Sequence, residues 1–137
     1  MTTSEEERTG PAARLGFEPG QVVQEVGYDD DVDLALRDGI ESLIGQDLVD
    51  EDFGDVADVV LLWFREEDGD LADALVDAVG VLDEGGAVWL LTPKSGRDGH
   101  VDPADLQEAA RTAGLVQVRS ISAAVDWSGT RLVAAGR

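Results

Sequence analysis

Two apolar runs, Val59-Val-Leu-Leu-Trp-Phe64 and Ala87-Val-Trp-Leu-Leu91, flank one amphipathic helical pattern, and no other feature limits the chain so strongly. A continuous apolar run suits a strand covered on both faces, because a strand with one face in water alternates instead. Between the runs Leu71, Ala74, Leu75, Ala78, Val79 and Leu82 recur at helical spacing, and the helix is expected to begin near Asp70. Glu84-Gly-Gly86 is expected to turn the chain into the second strand. Strand, helix and strand in that order form a right-handed crossover, which implies parallel pairing. Both faces of such a sheet need helices, so the expected architecture is a three-layer α/β domain with a mainly parallel sheet.

The flanking segments extend this unit. Gln21-Val-Val-Gln-Glu-Val26 reads as a short strand ended by Gly27, and Tyr28-Asp-Asp-Asp31 can cap the next helix. Val32, Leu36, Ile40 and Ile44 recur every four residues, with Ala35 and Leu43 widening the stripe and Gly45 placed as a C-cap. Residues 48–54 are short and acidic, an irregular or edge-strand connection. Asp102-Pro-Ala-Asp105 marks a helix start: Asp102 can cap, Pro103 suits the first turn, and Asp105 can return a carboxylate to the cap amide. Leu106, Ala109, Ala110 and Ala113 form its apolar face and Gly114 stops it. Residues 115–124 and 130–135 read as strands joined tightly by Asp126-Trp-Ser-Gly129, which demands a C-terminal antiparallel hairpin. Residues 1–14 are polar and aperiodic and are expected to form a flexible acidic tail, with residues 15–137 as one domain.

Charge is distributed unevenly. Through Asp83 there are 24 Asp and Glu against four Arg, whereas from Glu84 onward six acids meet six bases. An anionic field of this kind repels nucleic acid and anionic membrane. The chain has no cysteine, hence no disulfide or thiolate site. Its start, Met1-Thr-Thr-Ser-Glu-Glu-Glu, is unlike a basic secretory leader, and its longest apolar run is too short for a bilayer. A cytoplasmic protein is expected.

Asp55-Val-Ala-Asp-Val-Val-Leu-Leu-Trp-Phe64, Leu82-Asp-Glu-Gly-Gly-Ala-Val-Trp-Leu-Leu91 and Gly114-Leu-Val-Gln-Val-Arg119 resemble, in type and order, the C-terminal half of class I S-adenosylmethionine-dependent methyltransferases. The resemblance is architectural, covers about residues 55–135, and implies a Rossmann-like sheet. Over its whole length the chain is identified as a member of the DUF3052 group of small acidic actinobacterial proteins, an identification that implies no mechanism. In the methyltransferases the first strand leads into a loop of closely spaced glycines preceded by an acid. Here Glu25-Val-Gly-Tyr-Asp-Asp-Asp31 supplies Glu25 and Gly27, then bulk and three carboxylates. Loss of the glycines closes the approach of backbone amides to an anionic group. The stretch between Gly45 and Gly54, where Asp47 or Asp50 would accept ribose hydroxyls, is also too short for a full strand and crossover. No cofactor is expected.

Candidate sites are set by these positions. No catalytic residue is assigned, and the lone His100 cannot build a multi-histidine metal centre, so no metal site is assigned either. The leading expectation is a non-catalytic interaction or regulatory domain that turns Tyr28, Asp29, Asp30, Asp31, Asp50, Glu51, Asp52 and Trp127 toward a basic protein partner. The alternative is a small-molecule sensor or enzyme using a residual crevice at the strand ends, formed by Gly27, Arg65, Thr92, Lys94 and Arg97. Pairing with a second copy through an uncovered strand edge is also allowed.

Overall fold

A five-stranded sheet runs through the middle of the molecule, with helices on both of its faces. The computed structural model describes residues 10–135. Strands β1 (Val23–Val26), β2 (Ala57–Trp63), β3 (Leu82–Pro93), β4 (Leu115–Ser122) and β5 (Trp127–Ala134) lie in the order β1-β2-β3-β5-β4. The first three are parallel, with Val23 opposite Val59 and Leu61 opposite Trp89. β5 reverses against β3, and β4 completes the C-terminal hairpin. The sheet is therefore mixed, with the parallel half and the antiparallel end anticipated from the sequence.

Helices α1 (Leu34–Ile44), α2 (Leu71–Val79) and α3 (Pro103–Thr112) cover the two faces. On one side Leu36, Ile40 and Ile44 of α1 pack with Val59, Leu61, Trp63, Trp89 and Leu91. On the other, Leu75 and Ala78 of α2 and Leu106 and Ala110 of α3 meet Val60, Leu62, Val88 and Leu90. Alternate residues of β2 thus enter opposite cores, which explains why its sequence is apolar without interruption. Each fully buried Leu or Val contributes about 1.5–3 kcal/mol relative to exposure.

Carboxylates fix the helix starts. Asp33 Oδ1 accepts the Leu36 N–H at 2.8 Å, and Asp70 Oδ1 accepts the Asp73 N–H at 3.2 Å. Gly45 closes α1 in the left-handed region, with φ 78°. Several local expectations need correction. The cap of α1 is Asp33 and not the 28–31 cluster. Asp102 makes no side-chain cap bond, and α3 starts on Pro103 with the Leu106 N–H donating to the Asp102 carbonyl. Glu84-Gly-Gly86 is not a turn before β3 but a bulge within it, since Ala57 faces Leu82 while Val59 already faces Ala87.

At the N-terminal side, Gly10–Leu15 form a 3-10 helix with Ala12 and Leu15 buried against α1. Ala12 of the expected tail thus joins the core; residues 1–9 of that tail lie outside the described residues. The 45–54 connection places only Val49 beside β1. Its N–H donates to Val23 O at 3.0 Å and its carbonyl accepts from Glu25 N–H at 2.8 Å.

Candidate small-molecule site

At the carboxyl end of β1, Gly27 adopts φ 84°, and a Cβ there would lie 2.2 Å from the Trp63 carbonyl oxygen. Glycine is required by this contact with the neighbouring strand. The Gly27 N–H donates to Glu51 Oε2 at 3.0 Å, and its carbonyl accepts from Arg65 Nη1 at 2.8 Å. Both backbone groups of the turn are thereby occupied by the chain itself.

Arg65 follows β2 and is only 6% exposed. Its Nε donates to Asp31 Oδ2 at 3.0 Å and its Nη2 to Asp31 Oδ1, a bidentate pair. Nη1 also reaches Trp63 O and Asp68 Oδ2, each at 3.2 Å, and the guanidinium stands 5.2 Å from the Trp127 ring centre. Burial opposes the charge of Arg65, but its hydrogen bonds to Asp31 and Asp68 outweigh it and raise its pKa. In return the Arg65 hydrogen bonds hold the Asp31 carboxyl below its ordinary value.

Beneath this layer lies a second ion pair. Glu25, 7% exposed, accepts from Arg37 Nε at 2.6 Å, Arg37 Nη2 at 2.9 Å and Trp63 Nε1 at 2.9 Å. The acid that the methyltransferase resemblance places before the glycine turn therefore faces inward. Trp63 meets Trp127 edge to face at 4.9 Å between ring centres.

Beyond β3 a cavity of about 440 Å³ opens between Asp31, Pro93, Gly96, Arg97, Asp98, Asp126 and Trp127. Two backbone bonds tie down the loop after β3: Lys94 N–H donates to Asp126 O at 3.0 Å, and Glu66 N–H donates to Gly99 O at 2.9 Å. Arg97 Nη1 lies 3.1 Å from Asp126 Oδ1 across the opening.

Of the expected small-ligand residues, Arg97 lines the cavity, and Gly27 and Arg65 sit together behind Asp31. Thr92 is buried within β3, opposite Ser128, and Lys94 flanks the cavity without lining it. Of the expected interaction residues, Tyr28 is exposed with Arg37 stacked at 4.9 Å, and Asp29 Oδ1 accepts the Asp30 N–H. Asp30 is exposed, and Asp31 is tied to Arg65. Asp50 accepts from Gln24 through its carbonyl and from the exposed Asp52 through its carboxylate, while Glu51 holds Gly27. Trp127 is not a turn residue on the surface. It begins β5 and is 3% exposed, because the chain reverses three residues earlier, at 123–126, and the ring packs on Trp63.

Sequence reasoning missed Asp98 and Asp126 as cavity residues; the hairpin itself was the available signal, since it returns Asp126 to the end of β3. His100 is half-buried, and its Nδ1–H donates to Pro93 O at 2.9 Å. Among the described residues no group of three or more His, Cys, Asp or Glu is arranged to hold a metal ion. No helix among them is long and apolar enough to cross a membrane.

The chain is similar to solved methyltransferases. An O-methyltransferase from neocarzinostatin biosynthesis, in complex with S-adenosyl-L-homocysteine, matches 98% of this chain with a TM-score of 0.68 at 15% identity. The chain spans only 56% of that protein. The CcbJ methyltransferase of Streptomyces caelestis matches 96% of this chain and 90% of its own, with a TM-score of 0.63 at 13% identity. The magnesium protoporphyrin IX methyltransferase of Synechocystis PCC 6803, with bound SAM, matches 98% of this chain and 79% of its own, with a TM-score of 0.57 at 11% identity. At these identities the fold is what is shared, a Rossmann-like sheet with a C-terminal hairpin.

This likeness overturns the expectation of a purely non-catalytic acidic interaction domain. The fold is one found with bound small molecules, and a cavity persists here where open α/β sheets place their ligands. The physical reason is that four of the six acids read as a partner surface are engaged within the chain: the carboxylates of Asp29, Asp31, Asp50 and Glu51 all accept internal hydrogen bonds. The glycine turn itself does not fit S-adenosylmethionine, since the Trp63 carbonyl abuts Gly27 and the Arg65 guanidinium covers it. An uncharacterized protein of Mycobacterium tuberculosis is 50% identical over 122 residues, covering 89% of this chain and 77% of the relative, and one of Mycobacterium bovis matches equally. The family model described as "Protein of unknown function (DUF3052)" matches residues 12–136, and the chain belongs to that family.

Proposed function

We propose that the protein binds a small polar molecule in the crevice beyond β3, as the first step of either sensing or catalysis. The observation that carries this reading is the cavity of about 440 Å³ at the carboxyl ends of the strands. Its size falls within the roughly 300–1,000 Å³ usual for ligand sites. The walls combine one guanidinium, carboxylates and an indole. Asp31 is neutralised by Arg65, and Asp126 shares Arg97, which leaves Asp98 as the carboxylate for a ligand's cationic group. A compact molecule with an anionic group for Arg97 and an ammonium for Asp98 is the best match.

Titration with L-methionine and with S-adenosyl-L-homocysteine tests the reading, followed by ¹⁵N NMR and thermal melting. Binding is expected to shift the Arg97 and Asp98 amides and the Trp127 indole N–H. Ligand at about 100 times its Kd adds about 2.7 kcal/mol of stability. Arg97→Ala and Asp98→Asn are expected to abolish the effect. If neither compound perturbs these resonances or raises Tm, the proposal fails.

A further inference from the structure

We propose a second site, on the opposite side of β1 from α1, that binds a small protonated amine. Gln24 lies within β1 at 3% exposure, and its Nε2 donates to Asp50 O at 2.9 Å. That bond fixes which end of the amide donates. Oε1 is buried and meets no donor among the described residues. An acceptor in this state is unfavourable unless something supplies a hydrogen.

Gln24 lines a groove of about 250 Å³ with Val26, Glu51, Ala74, Asp77, Ala78 and Val81. The groove lies between β1 and α2, with Glu51 of the 45–54 connection at its side. The polar side chains lining it are Gln24, whose buried Oε1 lacks a donor among the described residues, and two carboxylates, Asp77 and Glu51; one Glu51 oxygen already holds the Gly27 N–H. The remaining wall is hydrocarbon. A donor-only, positively charged head on a short apolar stem meets all three requirements. A carboxylate is repelled, and an alcohol satisfies Oε1 while leaving the acids unpaired. The formal net charge of −20 raises the local concentration of any cation.

The full chain is titrated with n-butylammonium chloride, with n-butanol and sodium butyrate as controls at matched ionic strength, and followed by ¹⁵N NMR. Saturable shifts are expected at the Gln24 side-chain amide and at Ala74 and Ala78 for the ammonium. Binding of the alcohol is expected to be about tenfold weaker or less, with none for the carboxylate. Gln24→Leu, near-isosteric, is expected to weaken ammonium binding by about tenfold or more. Asp77→Asn, at an exposed helix position, is expected to weaken it several-fold, and decides the matter if Gln24→Leu does not fold. Arg97→Ala is expected to leave it unchanged, separating this site from the crevice. Absence of saturable shifts, equal binding of butanol, or full binding by Gln24→Leu or Asp77→Asn would overturn the proposal.

Discussion

Replacing Arg37 by Met is expected to destabilise the protein by about 3–5 kcal/mol at pH 7, because it strands a buried charge. The Glu25 carboxylate is 7% exposed and accepts three hydrogen bonds, two of them from Arg37. Without the guanidinium only the Trp63 N–H remains. The reciprocal change is milder. Glu25→Gln keeps an acceptor for Trp63 Nε1, and Arg37, at 22% side-chain exposure, can turn toward water. Its cost is about 1–2 kcal/mol, that of a charged hydrogen bond exchanged for solvent. The double variant Arg37→Met/Glu25→Gln carries no stranded charge and is therefore expected to be more stable than Arg37→Met alone. Urea unfolding followed by tryptophan fluorescence supplies the free energies by linear extrapolation. An Arg37→Met variant within about 1 kcal/mol of the parent, or a double variant equal to the sum of the singles, would refute the reasoning.

Gly27→Ala combines left-handed backbone strain of about 1–2 kcal/mol with a Cβ forced against the Trp63 carbonyl, so a loss of about 3 kcal/mol or more is expected in thermal denaturation; an unchanged Tm would contradict the close approach of β1 and β2. Asp31 has a carboxyl pKa held below its unfolded value by Arg65, so its contribution is present above about pH 4 and lost as pH falls through the depressed folded value. The stability gap between the parent and Asp31→Asn is accordingly expected to close on acidification below about pH 4, and a gap that stays constant would exclude the pair as its source. Val49→Pro deletes the N–H that reaches Val23 O, and faster hydrogen exchange at the Glu25 amide is expected as the bridge opens.

The layers, the parallel β2–β3 unit and the terminal hairpin are legible because periodicity reports burial directly. Val59 through Phe64 has to be central, and the span to Ala87 has to cross over. Long-range ion pairs leave no such mark. Arg65 lies 34 positions from Asp31, and Glu25 lies 38 from Trp63, so neither partner can be read from the other's neighbours. From its neighbours alone Arg65 reads as a loop cation near a crevice, while the structure makes it a buried clasp on two strand ends. Trp127 differs because the turn is displaced by three residues: Asp126-Trp-Ser-Gly129 carries the residue types of a tight turn, yet the chain reverses at 123–126. The length of the 45–54 segment correctly signals a missing full strand, but not the groove beside Gln24.

Carboxylates that fasten backbone amides also set rules for altering this protein. Asp58 Oδ2 grips the Val22 N–H, and Glu41 Oε2 grips the Leu48 N–H, so each spans a separation in sequence as a staple would. Trimming surface charge to improve handling can therefore start at exposed Asp38 and Asp47, whereas Asp33, Glu41, Asp58 and Asp70 accept only amide replacements that preserve an oxygen in place. Acidity in this chain is partly architecture, and a redesign that treats it as coating will loosen the seams.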